Sequence, residues 1–236
     1  MKKLFASLLM LPVLAFASGA ELHLDKAPDR ARDKAALQNG AKVFVTYCLN
    51  CHSASFMRYN RLQDIGLTEE QIRRDYMLAA DKIGEPMRIA TQRADAKQWF
   101  GVAPPDLTLV ARARASEFGT GPDWLYTYLR SFYRDETRPS GWNNVVFPNV
   151  GMPHVFWELQ GEQAMGEDHH LKLVKPGKLS PEAYDAMTAD LVGFLKYMGE
   201  PIGEFRQNLG VIVLIVLALL FVLSYALKRE YWKDVH

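Results

Sequence analysis

Cys48-Leu49-Asn50-Cys51-His52 sets how the rest of this 236-residue chain is read. Two thiols separated by two residues, with an imidazole immediately after, form the C-x-x-C-H pattern of covalent c-type haem attachment. The spacing has a chemical reason. Thiols three positions apart reach the two vinyl groups of one porphyrin, and the following residue then sits beneath the iron. Cys48 and Cys51 are the thioether residues in this reading, and His52 is the proximal ligand through a ring nitrogen. Two other chemistries use paired cysteines. A redox dithiol needs a βαβ setting that the neighbouring sequence lacks. A structural zinc site takes four Cys or His ligands in two pairs, whereas this chain has 2 cysteines in all and would have to recruit distant histidines.

Working outward, the N-terminus reads as an export signal, residues 1–20. Lys2 and Lys3 supply its charge, Leu4 to Phe16 its short apolar run, and small residues follow at Ala17 and Ala20. Covalent haem attachment belongs outside the cytoplasm, so the two signals agree. Near the other end, Leu209 to Leu227 holds no charged residue and rises about 28 Å as a helix, close to the hydrocarbon thickness of a bilayer. It has no polar stripe of the kind that marks a core helix. Lys228, Arg229 and Lys233 follow it and put the tail in the cytoplasm. The expected organisation is a signal at 1–20, a periplasmic haem domain at 21–205, a single transmembrane anchor at 206–229 and a cytoplasmic tail at 230–236. The formal net charge of +1 reverses sign once the two signal lysines are removed, which argues against nucleic acid as a partner.

Between the ends the pattern is mainly α. Asp33 to Cys48 carries Leu37, Ala41, Phe44 and Cys48 on one helical face, with Gly40 open for a close neighbour. Thr68 and Gln71 fit a capping box, Asp106 fits a cap for a third helix, and Pro122 opens a fourth whose face runs from Trp124 to Phe132. Ser180 caps the best-marked soluble helix, which continues to Met198 and is the natural partner of the Gly40 face. No segment reads as a convincing hairpin. Residues 134–179 have little periodicity yet include Trp142, Val145, Val146, Phe147, Phe156 and Trp157, so they are expected to form an apolar loop folded over the haem.

An electron-transfer haem takes a second axial ligand, and methionine sulfur raises its potential relative to a second histidine. Among the 9 methionines, Met152 stands out between Gly151, which permits close approach, and Pro153, which stiffens the exit. Met165, Met57 and Met87 stand behind it, and His154 would make a bis-histidine site. Met187 and Met198 fit core packing on their helix. Arg112 and Arg114 are candidates for the haem propionates or ordinary surface arginines. Glu158, Glu162, Glu167 and Asp168 form an acidic stretch that either is solvated or steers a basic partner.

Taken in order, Cys48-Leu49-Asn50-Cys51-His52-Ser53, Pro104-Pro105-Asp106-Leu107 with Arg112-Ala113-Arg114, Gly151-Met152-Pro153 and the C-terminal anchor resemble the cytochrome c1 family. The resemblance covers nearly the whole mature chain. It implies a class I cytochrome c-like haem domain with long loops, plus a single C-terminal transmembrane helix. It also implies one covalent haem c, thioether bonds at Cys48 and Cys51, and axial ligands His52 and Met152. Pro105 is placed against the haem and Arg114 near a propionate, while Trp124 stands where the family usually carries a tyrosine at the haem edge. The implied function is electron transfer from the Rieske iron–sulfur protein to a soluble or membrane-bound cytochrome c, beside cytochrome b in a dimeric bc1 complex of the bacterial inner membrane. The implied chain is not an enzyme on its own. The alternative is a membrane-anchored c-type subunit of another respiratory complex.

Overall fold

Asp33 starts the first helix by accepting the Ala36 amide at 3.0 Å, and α1 runs Lys34–Val43. The computed structural model describes residues 22–78 and 80–235. The expected signal at 1–20 and His236 lie outside them. The chain continues as a π-helical turn, Phe44–Cys48, then β1 (Ala54–Arg58), a 3-10 segment at Tyr59–Ile65 and α2 (Glu69–Asp75). The capping box read at Thr68 and Gln71 is present in both directions. Then come β2 (Pro86–Met87), α3 (Arg93–Phe100), α4 (Val110–Ala113) and α5 (Gly121–Arg130). They are followed by β3 (Phe132–Arg134), β4 (Trp142–Asn144) and α6 (Trp157–Gln160). The hairpin β5 (Gly161–Met165) with β6 (Leu171–Pro176) precedes α7 (Pro181–Gly199) and α8 (Gly203–Tyr231).

The core lies where α1 crosses α7. A Cβ added at Gly40 would sit 2.1 Å from the Asp190 carbonyl oxygen, so a side chain there would push the helices apart. That contact brings the Phe44 and Phe194 rings to 5.7 Å and buries Leu37, Leu191 and Phe194. The pairing expected from the Gly40 face is therefore present. On the other side α5 packs on α7, where Tyr184 Oη donates to the Leu129 carbonyl at 2.8 Å. Nearby Arg130 makes two bonds to the Asp185 carboxylate and a third to Asp25.

Three readings of local structure change. Helix α4 starts at Val110 rather than after Asp106, because the Asp106 carboxylate is taken by Ser55 and Thr108. Phe132 leaves the fourth helix, which ends at Arg130, and opens β3. Residues 134–179 are not one irregular loop. They hold β4, paired antiparallel with β3, and the β5–β6 hairpin, while β1 and β2 form a third pair. These strands escaped the sequence because most are short, and β6 lies almost wholly in solvent, so little apolar alternation marks them.

Candidate haem site

Cys48 and Cys51 lie on one turn. The π-helical end of α1 passes into it through Leu49 N–H donating to the Phe44 carbonyl at 3.0 Å. The Cys51 and His52 amides then both reach the Cys48 carbonyl, at 3.1 and 2.8 Å. Both thiols are free, Cys48 half-buried and Cys51 exposed. Burial, with Cys51 adding to it, pushes the Cys48 thiol up to about 12.

His52 is oriented by a backbone atom. Its Nδ1 lies 2.8 Å from the Pro105 carbonyl oxygen, which can only accept. The proton is thus on Nδ1, leaving the Nε2 lone pair for a metal. Burial lowers the imidazole pKa against the opposing pull of that carbonyl and Asp106, so the ring is neutral, as ligation requires. Proline cannot donate, and its stiff backbone keeps the carbonyl in place. The segment around it is clasped to the haem turn. Leu107 N–H donates to the Ser53 carbonyl at 2.8 Å, Ser55 N–H to Asp106 Oδ2 at 2.8 Å, and Phe56 N–H to Thr108 Oγ1 at 3.3 Å. Although burial opposes it, the Thr108 and Ser55 donors hold the Asp106 carboxyl below its usual range.

On the other side, Tyr128 Oη donates to Met152 Sδ at 3.3 Å. The Tyr128 ring stacks on Trp124, with centroids 4.8 Å apart and planes 13° apart. Arg114 caps this stack, its guanidinium 4.4 Å from the Trp124 centroid and 5.4 Å from Phe147. Arg112 points elsewhere, with its nearest carboxylate, Glu200, at 3.8 Å. The loop carrying Met152 is held by two asparagines. Asn144 Oδ1 accepts the Val146 and Phe147 amides at 2.9 and 3.1 Å, and its Nδ2 donates to the Tyr128 carbonyl at 2.7 Å. Asn143 Oδ1 accepts the Asn149 amide at 2.8 Å. The same loop joins the haem turn through Phe156, which meets the edge of Tyr47 at 5.1 Å.

The remaining candidates lie as follows. Met57 and Met87 are sunk in the core, and Met165 sits in β5 opposite Leu171. His154 is buried between Phe132, stacked at 4.9 Å, and the edge of Trp142; burial drives its pKa down to about 4. Pro105 is exposed and Trp124 half-buried. Of the acidic stretch, Glu158 pairs with Lys178, Glu162 with Arg134 and Lys175, and Asp168 with Lys172. Most of its charge is thus neutralised locally. Tyr128, Asn143 and Asn144 were missed by sequence reasoning. The two asparagines inside the apolar run Trp142 to Phe147 were the available signal, since buried amides are placed where backbone groups need partners.

An imidazole with its tautomer set and a thioether in a partly buried loop are a nitrogen and sulfur donor pair for an iron, and two thiols on one turn can bond the two vinyl groups of its porphyrin. That arrangement fits haem c. Among the described residues no three His, Cys, Asp or Glu side chains gather as a metal cluster, so the zinc alternative has no ligand set there. A helix long and apolar enough to span a bilayer, Phe205–Tyr231, follows with none of its most apolar stretch buried.

Fold and site together define a membrane-anchored c-type cytochrome. The model of the cytochrome c1 family matches residues 26–235. Among curated relatives, the cytochrome c1 of Allochromatium vinosum is 49% identical over 250 residues, covering all of both chains. The protein named ammonia monooxygenase gamma subunit of Nitrosomonas europaea is 48% identical over 236 residues, covering 100% of this chain and 98% of that one. The cytochrome c1 of Rhodospirillum rubrum is 28% identical over 229 residues, covering 86% and 83%. The chain belongs to the cytochrome c1 family, whose members carry one covalently bound haem c.

Proposed function

We propose that this chain is the electron carrier of a ubiquinol:cytochrome c oxidoreductase, accepting one electron from the Rieske iron–sulfur protein and passing it to a soluble or membrane-bound cytochrome c. Cys48 and Cys51 hold the haem, His52 and Met152 ligate its iron, Pro105 fixes His52, and Trp124 lies at the haem edge. Arg114 serves the propionates in preference to Arg112, which has Glu200 within reach. When bound, haem c supplies a one-electron couple. The protein's part is to set the His52 tautomer, present the sulfur and exclude water. It acts as a redox subunit rather than an enzyme on its own. Cytochrome b, in a dimeric complex of the bacterial inner membrane, packs beside the anchor at 206–229. Residues 1–20 are removed after export, 21–205 lie in the periplasm and 230–236 in the cytoplasm.

The observation that carries this reading is the lock between His52 Nδ1 and the Pro105 carbonyl. It joins the haem motif to the Pro-Pro-Asp-Leu segment in a chain matched along its length by cytochrome c1. The test is purification through a C-terminal tag in mild detergent. Cytochrome b and a Rieske protein in stable proportion, with haem reduced by added quinol, are the expected result. A second reading has one observation in its favour, the name of the Nitrosomonas europaea relative. Co-purification with monooxygenase subunits and no response to quinol would support a c-type subunit of that other complex.

A further inference from the structure

We propose that Tyr128 tunes and retains the axial sulfur. Its hydroxyl, hydrogen-bonded to Met152 Sδ at 3.3 Å, keeps that bond when the sulfur ligates iron. The inference rests on Met152 being the ligand, as read above. A thioether sulfur has two lone pairs. Ligation uses one, and the phenolic hydrogen engages the other. That hydrogen bond draws electron density from the sulfur, weakens its donation to ferric iron and so favours the reduced state. A hydrogen bond to a ligand atom, made by a group that does not itself touch the metal, is a recognised lever on a metal site.

The surroundings leave the hydroxyl little freedom to turn away. Tyr128 is 8% exposed. Its ring is held flat against Trp124 at 4.8 Å and edge-on to Phe132 at 5.1 Å. Its backbone carbonyl is pinned by Asn144 Nδ2 at 2.7 Å, and the same Asn144 orders the loop that leads to Met152. One buried amide therefore fixes donor and acceptor relative to each other. Arg114, stacked over Trp124, closes the outer end of the arrangement. Tyr128 is a positioning residue, since it acts on the iron through Met152.

The experiment uses the full chain in its detergent-solubilised complex and compares three variants by midpoint potential, carbon monoxide affinity of the reduced haem and the sulfur-to-iron absorption band of the oxidised haem. Met152→Leu comes first. If carbon monoxide is still refused, Met152 is not the ligand and the site reading fails, taking this inference with it. If Met152→Leu admits carbon monoxide, Tyr128→Phe decides the inference, because it keeps the ring and removes only the hydroxyl. The expected result is a lower midpoint, a displaced band and a 3- to 10-fold rise in carbon monoxide affinity, about the worth of one hydrogen bond. An unchanged midpoint, band and affinity overturns the proposal. So does an equal change in Trp124→Phe, which keeps the hydroxyl, for the effect would then belong to ring packing.

Discussion

His52 and Met152 are held in different ways, and the difference predicts how each side of the site fails. His52 is anchored by a backbone carbonyl that no side-chain change can delete. Met152 is presented by a loop whose order depends on Asn144, 1% exposed and bonded to three backbone groups. Asn144→Ala strands those buried groups and is expected to cost about 2–4 kcal/mol. Thermal unfolding followed by haem absorbance measures this, and the variant's reduced haem should bind carbon monoxide more readily as Met152 loosens. Asp106→Ala removes the acceptor shared by Ser55 and Thr108. Because that carboxylate is solvent-exposed, the expected loss is only about 1 kcal/mol, read as a small drop in denaturation midpoint.

The α1–α7 contact depends on a missing side chain. With the Asp190 carbonyl oxygen 2.1 Å from where a Cβ would stand, Gly40→Ala must separate the helices. The expected cost is about 1–3 kcal/mol, a fall of several degrees in melting temperature for a domain of this size. Helix propensity alone favours alanine there, so a stabilised variant would show that the close approach is not maintained in solution. The β5–β6 hairpin carries a pH dependence. Arg134, then Lys175, hold the Glu162 carboxyl down to about 2. A depressed folded pKa stabilises above the unfolded carboxylate range and is lost as pH falls. Glu162→Gln should therefore melt below the parent at pH 6, with the gap closing between about 4.5 and 2. A gap that persists at pH 2 would mean that the ion pairs are not its source.

The molecule divides at Glu200. There Arg112, and Arg206 at the head of α8, converge on one carboxylate. Beyond it the flank of α8 is exposed along its length, with a mean hydropathy of 2.9 over its most apolar stretch. So long an exposed apolar surface needs a bilayer or partner helices to cover it. A chain ended before Gly203 is expected to leave the membrane fraction and remain in the aqueous phase with its haem spectrum intact. A truncated protein that stays with the membranes after alkaline washing would show that the haem domain has another attachment.

Much of this was legible in the chain. The haem motif, the Thr68 and Ser180 caps and the apolar terminal run are local features, each declared within a few neighbouring residues. So was the helix-facing role of Gly40, because a small residue on an apolar stripe has few other uses. The short strands of 132–176 were not legible, since three-residue strands and a solvated hairpin carry almost no periodicity. Nor were the acceptor of His52 Nδ1, 53 residues away, and the donor to Met152 Sδ, 24 away. Covalent chemistry and membrane insertion depend on residue type and spacing along the chain, and those are written in the sequence. Which carbonyl meets an imidazole, and which hydroxyl meets a sulfur, depends on distances across the core, and only packing sets those.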